Sequence, residues 1–267
     1  MNVKSITPPE ICDRHVAYIV ADQMVELDRS KLEQAIFEAC FDRPVKILPA
    51  SVGHTALIVD FGGLMLSIMN VTKSLPSGWE PAVARAQTIW PKADAVFNSH
   101  KAHLIVAPIA EGIEPLETAR CMTALIKAVL RSHIHFTAVL WNSIAVTSRD
   151  SFLKLSASAF AVYPDYPYRL WINVQLFRDQ AGGALVGATF GLKQFAGREI
   201  EMGARLEDAT MLYERISGLA VYLMRNESCL KSGDTIGVTR WEKIRVDLTM
   251  SKHFPATAIF SATLEAA

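Results

Sequence analysis

The chain has 267 residues, of which 51% are hydrophobic and 20% are charged, a composition typical of a folded protein with one large core or two small ones. The 27 Lys and Arg residues balance the 27 Asp and Glu residues, so the formal net charge is zero. This balance argues against a nucleic-acid partner bound mainly through its phosphates, which would require a basic surface.

The first part of the chain alternates strand and helix signals after a polar lead-in over residues 1–14. Apolar, β-branched runs predict the strands His15–Ala21, Thr55–Phe61, Leu64–Val71 and Ala102–Pro108. Apolar residues three and four apart predict one helix after Asp28, which can cap it, and another from Glu80 that is interrupted at Pro91. Gly62-Gly63 predicts a hairpin turn between two of the strands.

The second part begins with a strongly amphipathic helix, Pro115–Ser132. Strands are then predicted at Phe136–Val146, Leu170–Phe177 and Ala184–Phe190, and helices at Ser148–Ala159 and Leu206–Asn226. Further strand candidates are Thr235–Val238, Ile244–Met250 and Ala258–Thr263. From Phe136 onward the element order is βαββαβ with extra strands, as it is in the first part before the Pro115–Ser132 helix, and this is the ferredoxin-like arrangement.

We therefore predict an α+β protein made of two ferredoxin-like halves with antiparallel sheets and a connecting helix. The predicted divisions are the lead-in at 1–14, the first half at 15–112, the connecting helix at 113–134, and the second half with its extra strands at 135–267. No low-complexity linker separates the halves, so the default place for a ligand is between them.

The cysteine pattern and the absence of apolar leader or spanning segments predict a cytoplasmic protein. None of Cys12, Cys40, Cys121 and Cys229 lies within three residues of another, so no CxxC metal or redox pair is present. We find no signal peptide and no run of about 18 apolar residues, and we predict reduced thiols and no membrane association.

The sequence lacks the common catalytic motifs. It contains no GxxxxGK[ST], GxGxxG, HExxH or GxSxG, so P-loop NTPases, Rossmann dehydrogenases, zincins and α/β-hydrolases lose support. We predict no catalytic residue and no cofactor.

Two histidine pairs are the best polar constellation. His100 and His103 lie at a predicted helix-to-strand boundary, and His133 and His135 form a second close pair. Two imidazoles three residues apart could face one metal ion or a ligand. They could equally hydrogen-bond a helix end and a sheet edge, and without a matching carboxylate we predict no metal site.

The stretch Thr189–Met202 joins an apolar strand to a helix and carries Glu199 and Glu201. On an extended segment these side chains would point the same way, and could act as a carboxylate pair or hold a cation. They could instead be solvated charges, or partners of Arg198 and Arg205. We interpret the stretch as a fixed crossing whose glycines serve backbone geometry.

Three tryptophans fall in predicted strands: Trp141, Trp171 and Trp241. A strand tryptophan usually lies in the core or on a half-buried face. If the three reached one groove, they would indicate a ligand that stacks on them.

The combined pattern resembles the bacterial family catalogued as domain of unknown function 4261. The matching pieces are Trp90-Pro91, His100-Lys101-Ala102-His103-Leu104, Ala138–Trp141, Trp171, Thr189-Phe190-Gly191-Leu192, Phe195, Gly197, Glu199-Ile200-Glu201 and Gly233-Asp234-Thr235-Ile236-Gly237. Where the family usually has a proline before the first glutamate, this chain has Arg198, so the local turn can differ.

The resemblance implies a soluble bacterial protein and supplies no catalytic residue. Families of this kind often accompany toxin or secretion loci as accessory or immunity proteins, an association and not a mechanism. We therefore expect a non-catalytic protein whose partner is another protein. The alternative is an enzyme or small-ligand binder with a site between the halves, formed by His100, His103, Glu199 and Glu201.

Overall fold

The computed structural model describes residues 15–39, 43–48, 56–109, 114–179, 184–204, 208–225, 230–237 and 242–266. These residues divide into two compact units between Trp171 and Ile172. Each unit combines helices with one sheet in which antiparallel pairing predominates, so the architecture is α+β, as predicted. Among the described helices, none combines the length and the apolar character that crossing a bilayer requires.

The first unit is built on a seven-stranded sheet. Its elements are β1 Ala17–Ala21, α1 Arg29–Ala39, β2 Lys46–Ile47, β3 Ala56–Asp60, β4 Met65–Val71, α2 Glu80–Ala86, α3 Ala93–Ser99, β5 Ala102–Pro108, α4 Pro115–Ser132, β6 Phe136–Trp141, β7 Ala145–Ser148 and α5 Arg149–Leu155. The strand order is β2-β3-β4-β5-β1-β6-β7, and every neighbouring pair is antiparallel.

This strand order differs from the predicted ferredoxin-like arrangement. There, β1 would lie between β4 and β5, whereas here β5 lies between β4 and β1. The short strand β2 is the physical reason. It pairs antiparallel with β3, so β3 runs opposite to the direction that a strand directly after the first crossover helix would take.

The predicted division near residue 113 also differs from the structure. Strand β6 pairs with β1, and β7 pairs with β6, so both belong to the first sheet. Helix α4 contacts α1, α5 and β5 of the same unit, and most of its side chains are buried. It is therefore a core helix of the first unit and not a connector.

Strands β6 and β7 form a hairpin where one strand, Phe136–Val146, was predicted. Asn142 and Ser143 adopt positive φ angles of 48° and 54°, which reverses the chain. The Asn142 side chain accepts a hydrogen bond from the Val16 amide at 2.6 Å, and Arg85 donates to the carbonyls of Ser143 and Ile144. Burial lowers the pKa of Arg85 to about 10. These contacts hold a turn that lacks the usual glycine.

Several local predictions are confirmed. Gly62 and Gly63 form the turn between β3 and β4, with φ angles of 71° and 111°. The Asp28 carboxylate accepts a hydrogen bond from the Lys31 amide at 3.1 Å, which lowers the pKa of Asp28 and caps α1. Ser148 accepts from the Ser151 amide at the start of α5. The predicted break at Pro91 separates α2 from α3.

The second unit contains a six-stranded sheet. Its elements are β8 Asn173–Arg178, β9 Leu185–Phe190, α6 Lys193–Ala196, β10 Glu199–Ala204, α7 Ala209–Arg225, β11 Asp234–Gly237, β12 Glu242–Met250 and β13 Ala258–Ala266. The strand order is β11-β12-β13-β10-β9-β8, with β10 and β13 parallel and all other neighbours antiparallel.

Helix α7 covers one face of this sheet and packs closely on β9. A Cβ atom added at Gly187 would lie 2.2 Å from Cδ1 of Ile216 and 3.3 Å from Cγ of Leu212. Glycine is therefore required here to let the helix approach the strand. On β12, Ile244 and Val246 are buried, while Lys243 and Arg245 on the opposite face are exposed. An antiparallel-rich sheet with one face to water produces this alternation.

Candidate functional site

Strand β10 places Glu199 and Glu201 in the interior of the second unit. The sequence interpretation had this segment as a crossing, but Glu199–Ala204 is a strand between β9 and β13. The two side chains lie on an extended segment, as the carboxylate-pair hypothesis required, and their exposed fractions are only 3% and 8%. Solvated surface charge is therefore the wrong interpretation of both residues.

The Glu199 carboxylate is saturated with hydrogen-bond donors. Its Oε2 accepts from Thr189 Oγ1 at 2.7 Å and from the Leu192 amide at 3.1 Å. Its Oε1 accepts from the amides of Gly191 at 2.8 Å and Lys193 at 3.2 Å. These amides precede and open the short helix α6, where backbone N–H groups lack partners within the helix. Glu199 therefore caps α6 from the next strand.

Two opposing effects act on the pKa of Glu199. Complete burial raises the pKa of its carboxyl group, while the hydrogen bonds from Thr189 and the turn amides lower it. Burial dominates, and the pKa lies above its ordinary value. The four acceptor positions of this carboxylate are therefore occupied from within the fold.

The Glu201 carboxylate anchors a different segment, the loop Ser251–Thr257. Ser251 Oγ donates a hydrogen bond to Oε1 of Glu201 and accepts from the amides of His253 and Phe254. The buried ring of Phe254 then packs edge-on against Phe177 and Phe190, with centroids 5.6 and 5.3 Å apart. Glu201 thus supports the loop whose Phe254 packs against β8 and β9. Sequence reasoning missed Ser251, which lies 50 residues away along the chain.

His100 and His103 belong to the first unit, where both hold the loop between β4 and α2. His100 Nε2 accepts from the Leu75 amide at 2.7 Å, and its Nδ1 bonds the Phe97 carbonyl. Nδ1 of His103 bonds the Lys73 carbonyl at 2.8 Å. Burial is the main effect on His103 and lowers its pKa, so the neutral imidazole is favoured. Both imidazoles therefore make backbone hydrogen bonds, as the second of the two interpretations of this pair required.

The tryptophans Trp141 and Trp171 lie in the core of the first unit. Both are fully buried, and their ring centroids lie 6.4 Å apart. Trp171 Nε1 donates to Thr123 Oγ1 of α4 at 2.8 Å. Trp171 was predicted to lie in the strand Leu170–Phe177, but it follows a 3₁₀ turn and precedes β8. Trp241 lies outside the described residues. The two described rings therefore pack as core residues and line no groove.

The carboxylates and imidazoles of the described residues are dispersed with respect to metal coordination. Within the described ranges, no group of three or more His, Cys, Asp or Glu side chains could hold a metal ion. The second histidine pair has centroids 6.0 Å apart, and His135 Nδ1 lies 3.1 Å from Asp22 Oδ1.

Residues 188–257 match the family model described as Domain of unknown function (DUF4261). This stretch is similar to DUF4261 and is termed the DUF4261 segment. The predicted family resemblance is confirmed over these residues, and bacterial origin stays a prediction. No curated protein and no solved structure matches the chain.

The DUF4261 segment runs from the end of β9 to the end of the Ser251–Thr257 loop. It therefore contains Glu199, Glu201 and the groups that hydrogen-bond them. The pieces of the predicted resemblance before residue 188, including His100, His103, Trp141 and Trp171, lie outside the matched segment.

Proposed function

We propose that the protein is a non-catalytic protein-binding protein, and that an amphipathic helix of its partner docks on the first sheet. The docking surface is the open strip, which we define as Ile58 on β3, Met65, Ser67 and Met69 on β4, and Ile105 on β5. The exposed apolar surface of this strip is the observation that carries the proposal.

The register of the sheet brings the residues of the open strip to one face. Met69 pairs with Ile105, and Ser67 pairs with Ile58, so these side chains project together. Met65 and Met69 are 36% and 46% exposed, and the others are half-buried. Paired apolar side chains with two flexible methionines are typical of surfaces that bind apolar partners.

The same face of the sheet is covered by the chain's own helices on its other half. Tyr18 on β1 pairs with Ile105, and Tyr18, Val20 and Leu140 pack with α2 and α3. Among the described residues, the cluster that α2 and α3 form with these side chains does not include the residues of the open strip. Three strands at a spacing of about 4.8 Å span about 10 Å, which matches the diameter of one helix with its side chains. This match supports a helical partner segment.

The non-catalytic part of the proposal rests on the candidate residues themselves. Glu199 accepts four hydrogen bonds within its unit, and His100 and His103 hold a loop in theirs. A general base or metal ligand needs a lone pair that substrate or metal can reach. The alternative of an enzyme or small-ligand binder stays a prediction, and no contact of these residues favours it.

A cytoplasmic location and a role beside a toxin or secretion locus remain part of this proposal. Both rest on the sequence features and on the family resemblance given above. On this proposal, the partner is a protein whose gene lies near the gene of this chain.

The experiment begins with a photo-crosslinking amino acid at Met69 in the native host. We expect one defined protein to be crosslinked, through a segment with apolar residues at helical spacing. The purified partner is then titrated onto the wild type and onto Met65→Asp/Met69→Asp. Both positions are solvent-accessible, so the double variant should fold, and we expect its affinity to fall by at least about tenfold.

Val162→Asp is the matched control because Val162 is 76% exposed in the same unit but lies outside the open strip. We expect it to bind the partner as the wild type does. Equal affinity of the double variant and the wild type would remove the open strip as the docking surface. Turnover by the pure protein on a metabolite panel would refute the non-catalytic assignment.

A further inference from the structure

Glu199 and Glu201 lie two residues apart on β10, yet the hydrogen bonding of their carboxylates is very different. Glu199 accepts four hydrogen bonds. Glu201 accepts one, from the Ser251 hydroxyl to Oε1, and its Oε2 has no hydrogen-bond partner among the residues that the structure describes. With 8% of its surface exposed, Glu201 is more than nine-tenths buried.

Most of the Glu201 side chain is withdrawn from water, but its Oε2 is not fully buried and can accept a hydrogen bond from a donor outside the chain. No Lys or Arg in the described part of the chain forms an ion pair with Glu201. Glu199 shows that the fold can saturate a carboxylate on this strand with its own donors. At Glu201 the remaining acceptor capacity is left for a group from outside the chain.

Space for such a group lies beside the carboxylate. Gly203 follows Glu201 by two residues, so it lies on the same face of β10. Gly203 is exposed, and a Cβ atom added there would meet no heavy atom within 4 Å. Ser261 of β13, which pairs with Glu201, supplies a hydroxyl on this face. The free oxygen of Glu201 therefore borders the open space over Gly203, and the hydroxyl of Ser261 beside it is neutral.

The strand register also places the aromatic ring of Phe177 on the same face as Glu201. Gln175 pairs with Ala188, which pairs with Glu201, so Phe177, two residues after Gln175, projects to the same side. Phe177 is half-buried, and the His253 ring lies edge-on to it with centroids 5.4 Å apart. Aromatic rings favour organic cations. A metal ion is disfavoured because no three metal-ligating side chains cluster in the described residues.

We propose that Glu201 anchors a binding site for an organic cation with N–H donors, an ammonium or guanidinium group that enters over Gly203. The ammonium donates to the free oxygen of Glu201, and Ser261 accepts a second hydrogen bond. The site lies in the second unit and is independent of the open strip, so either proposal can fail without the other.

The test is an NMR titration of the full chain with n-butylammonium chloride at constant ionic strength. We expect saturable amide shifts on β10, β13 and the Ser251–Thr257 loop. Tetramethylammonium, a cation without N–H donors, is expected to bind at least about tenfold more weakly, because it cannot make the charge-assisted hydrogen bond. Guanidinium chloride at low concentration distinguishes an arginine-like ligand from an amine.

Two variants isolate the site. Glu201→Gln removes the charge but keeps an amide oxygen that accepts from Ser251, so the loop stays anchored, and we expect at least about tenfold weaker binding. Gly203→Val fills the open space with a residue that suits a strand, and we expect the shifts on β10 to be lost. Glu265→Gln on β13 is the matched control and is expected to bind as the wild type does.

Three results would overturn the proposal. They are non-saturating shifts in the wild type, wild-type affinity in Glu201→Gln, and equal weakening by Glu265→Gln. If Glu201→Gln fails to fold by circular dichroism, Gly203→Val decides the question, because its added side chain has room and its backbone needs no positive φ. Undiminished binding by folded Gly203→Val likewise refutes the site.

Discussion

Replacing Glu199 with Gln is expected to destabilise the second unit, because glutamine cannot accept four hydrogen bonds at this position. The carboxylate receives two donors on each oxygen, including the amides of Gly191, Leu192 and Lys193. A glutamine side chain offers one acceptor oxygen and one amide group that is itself a donor. Two of the four donors are then left buried without an acceptor.

The magnitude follows from those two lost hydrogen bonds. A hydrogen bond to a charged group contributes about 1.5–3 kcal/mol, so the pair contributes at least about 3 kcal/mol. Removing the charge returns the burial penalty that raises the pKa of Glu199, but two buried donors without an acceptor add a cost of about 1–3 kcal/mol each. We expect a net loss of about 2 kcal/mol in the free energy of unfolding near neutral pH.

Urea unfolding followed by circular dichroism measures this loss, and hydrogen exchange localises it. In Glu199→Gln the amides of Leu192 and Lys193 should exchange faster than in the wild type. The matched control is Glu214→Gln on α7, where Glu214 is exposed and a change within about 0.5 kcal/mol is expected. If Glu199→Gln is as stable as this control, the carboxylate does not hold the turn and the argument is refuted.

The pH dependence supplies a second check on Glu199. Because its pKa in the native state lies above the ordinary value of 4.5, the native state takes up the proton before the unfolded chain does. The resulting stabilisation is fully present below 4.5 and is lost as the pH rises through the native pKa. The stability of the wild type relative to Glu199→Gln should therefore increase on acidification from pH 7, and a decrease would contradict the assignment.

Three further predictions concern other parts of the fold. Burial lowers the pKa of His103 from 6.5, so the contribution of this side chain to stability is lost as the pH falls from 6.5 to the lower native pKa. His103→Asn keeps a hydrogen-bond donor, and unfolding curves at a series of pH values should show a smaller loss. Gly187→Ala should cost about 1–3 kcal/mol, and Ile216→Val should reduce that cost in a double-mutant cycle, because it removes the clashing Cδ1. Gly63→Ala, at a φ of 111°, should lower the free energy of unfolding by about 1 kcal/mol, whereas Gly218→Ala on the exposed side of α7 should raise it.

The candidate site shows where sequence reasoning reaches its limit. The two-residue spacing of Glu199 and Glu201 puts both side chains on one side only if the segment is extended, and the stretch was interpreted as a crossing, whereas it is strand β10. Their burial was not predictable from spacing, because the donors come from a turn and from Ser251, which is distant in the chain. A signal for the open strip was present in β4, where apolar residues occupy both faces instead of alternating with polar ones.

The sequence by itself determined the local elements. Apolar periodicity located α4 and α7, the Gly62-Gly63 pair formed the predicted hairpin, and Asp28 capped α1. These features depend on residues within a few positions of one another, where backbone sterics and hydrogen bonding are decided locally.

The tertiary structure alone decided strand order and the environment of each charge. An apolar strand pattern specifies which side chains are buried but not which strand lies beside it. The position of β5 between β4 and β1, and the place of β6 in the first sheet, could therefore not be predicted. The pKa of Glu199 and the free oxygen of Glu201 likewise depend on groups that only the folded chain brings together. Desolvation and hydrogen-bond saturation arise from three-dimensional packing, and one-dimensional spacing does not encode them.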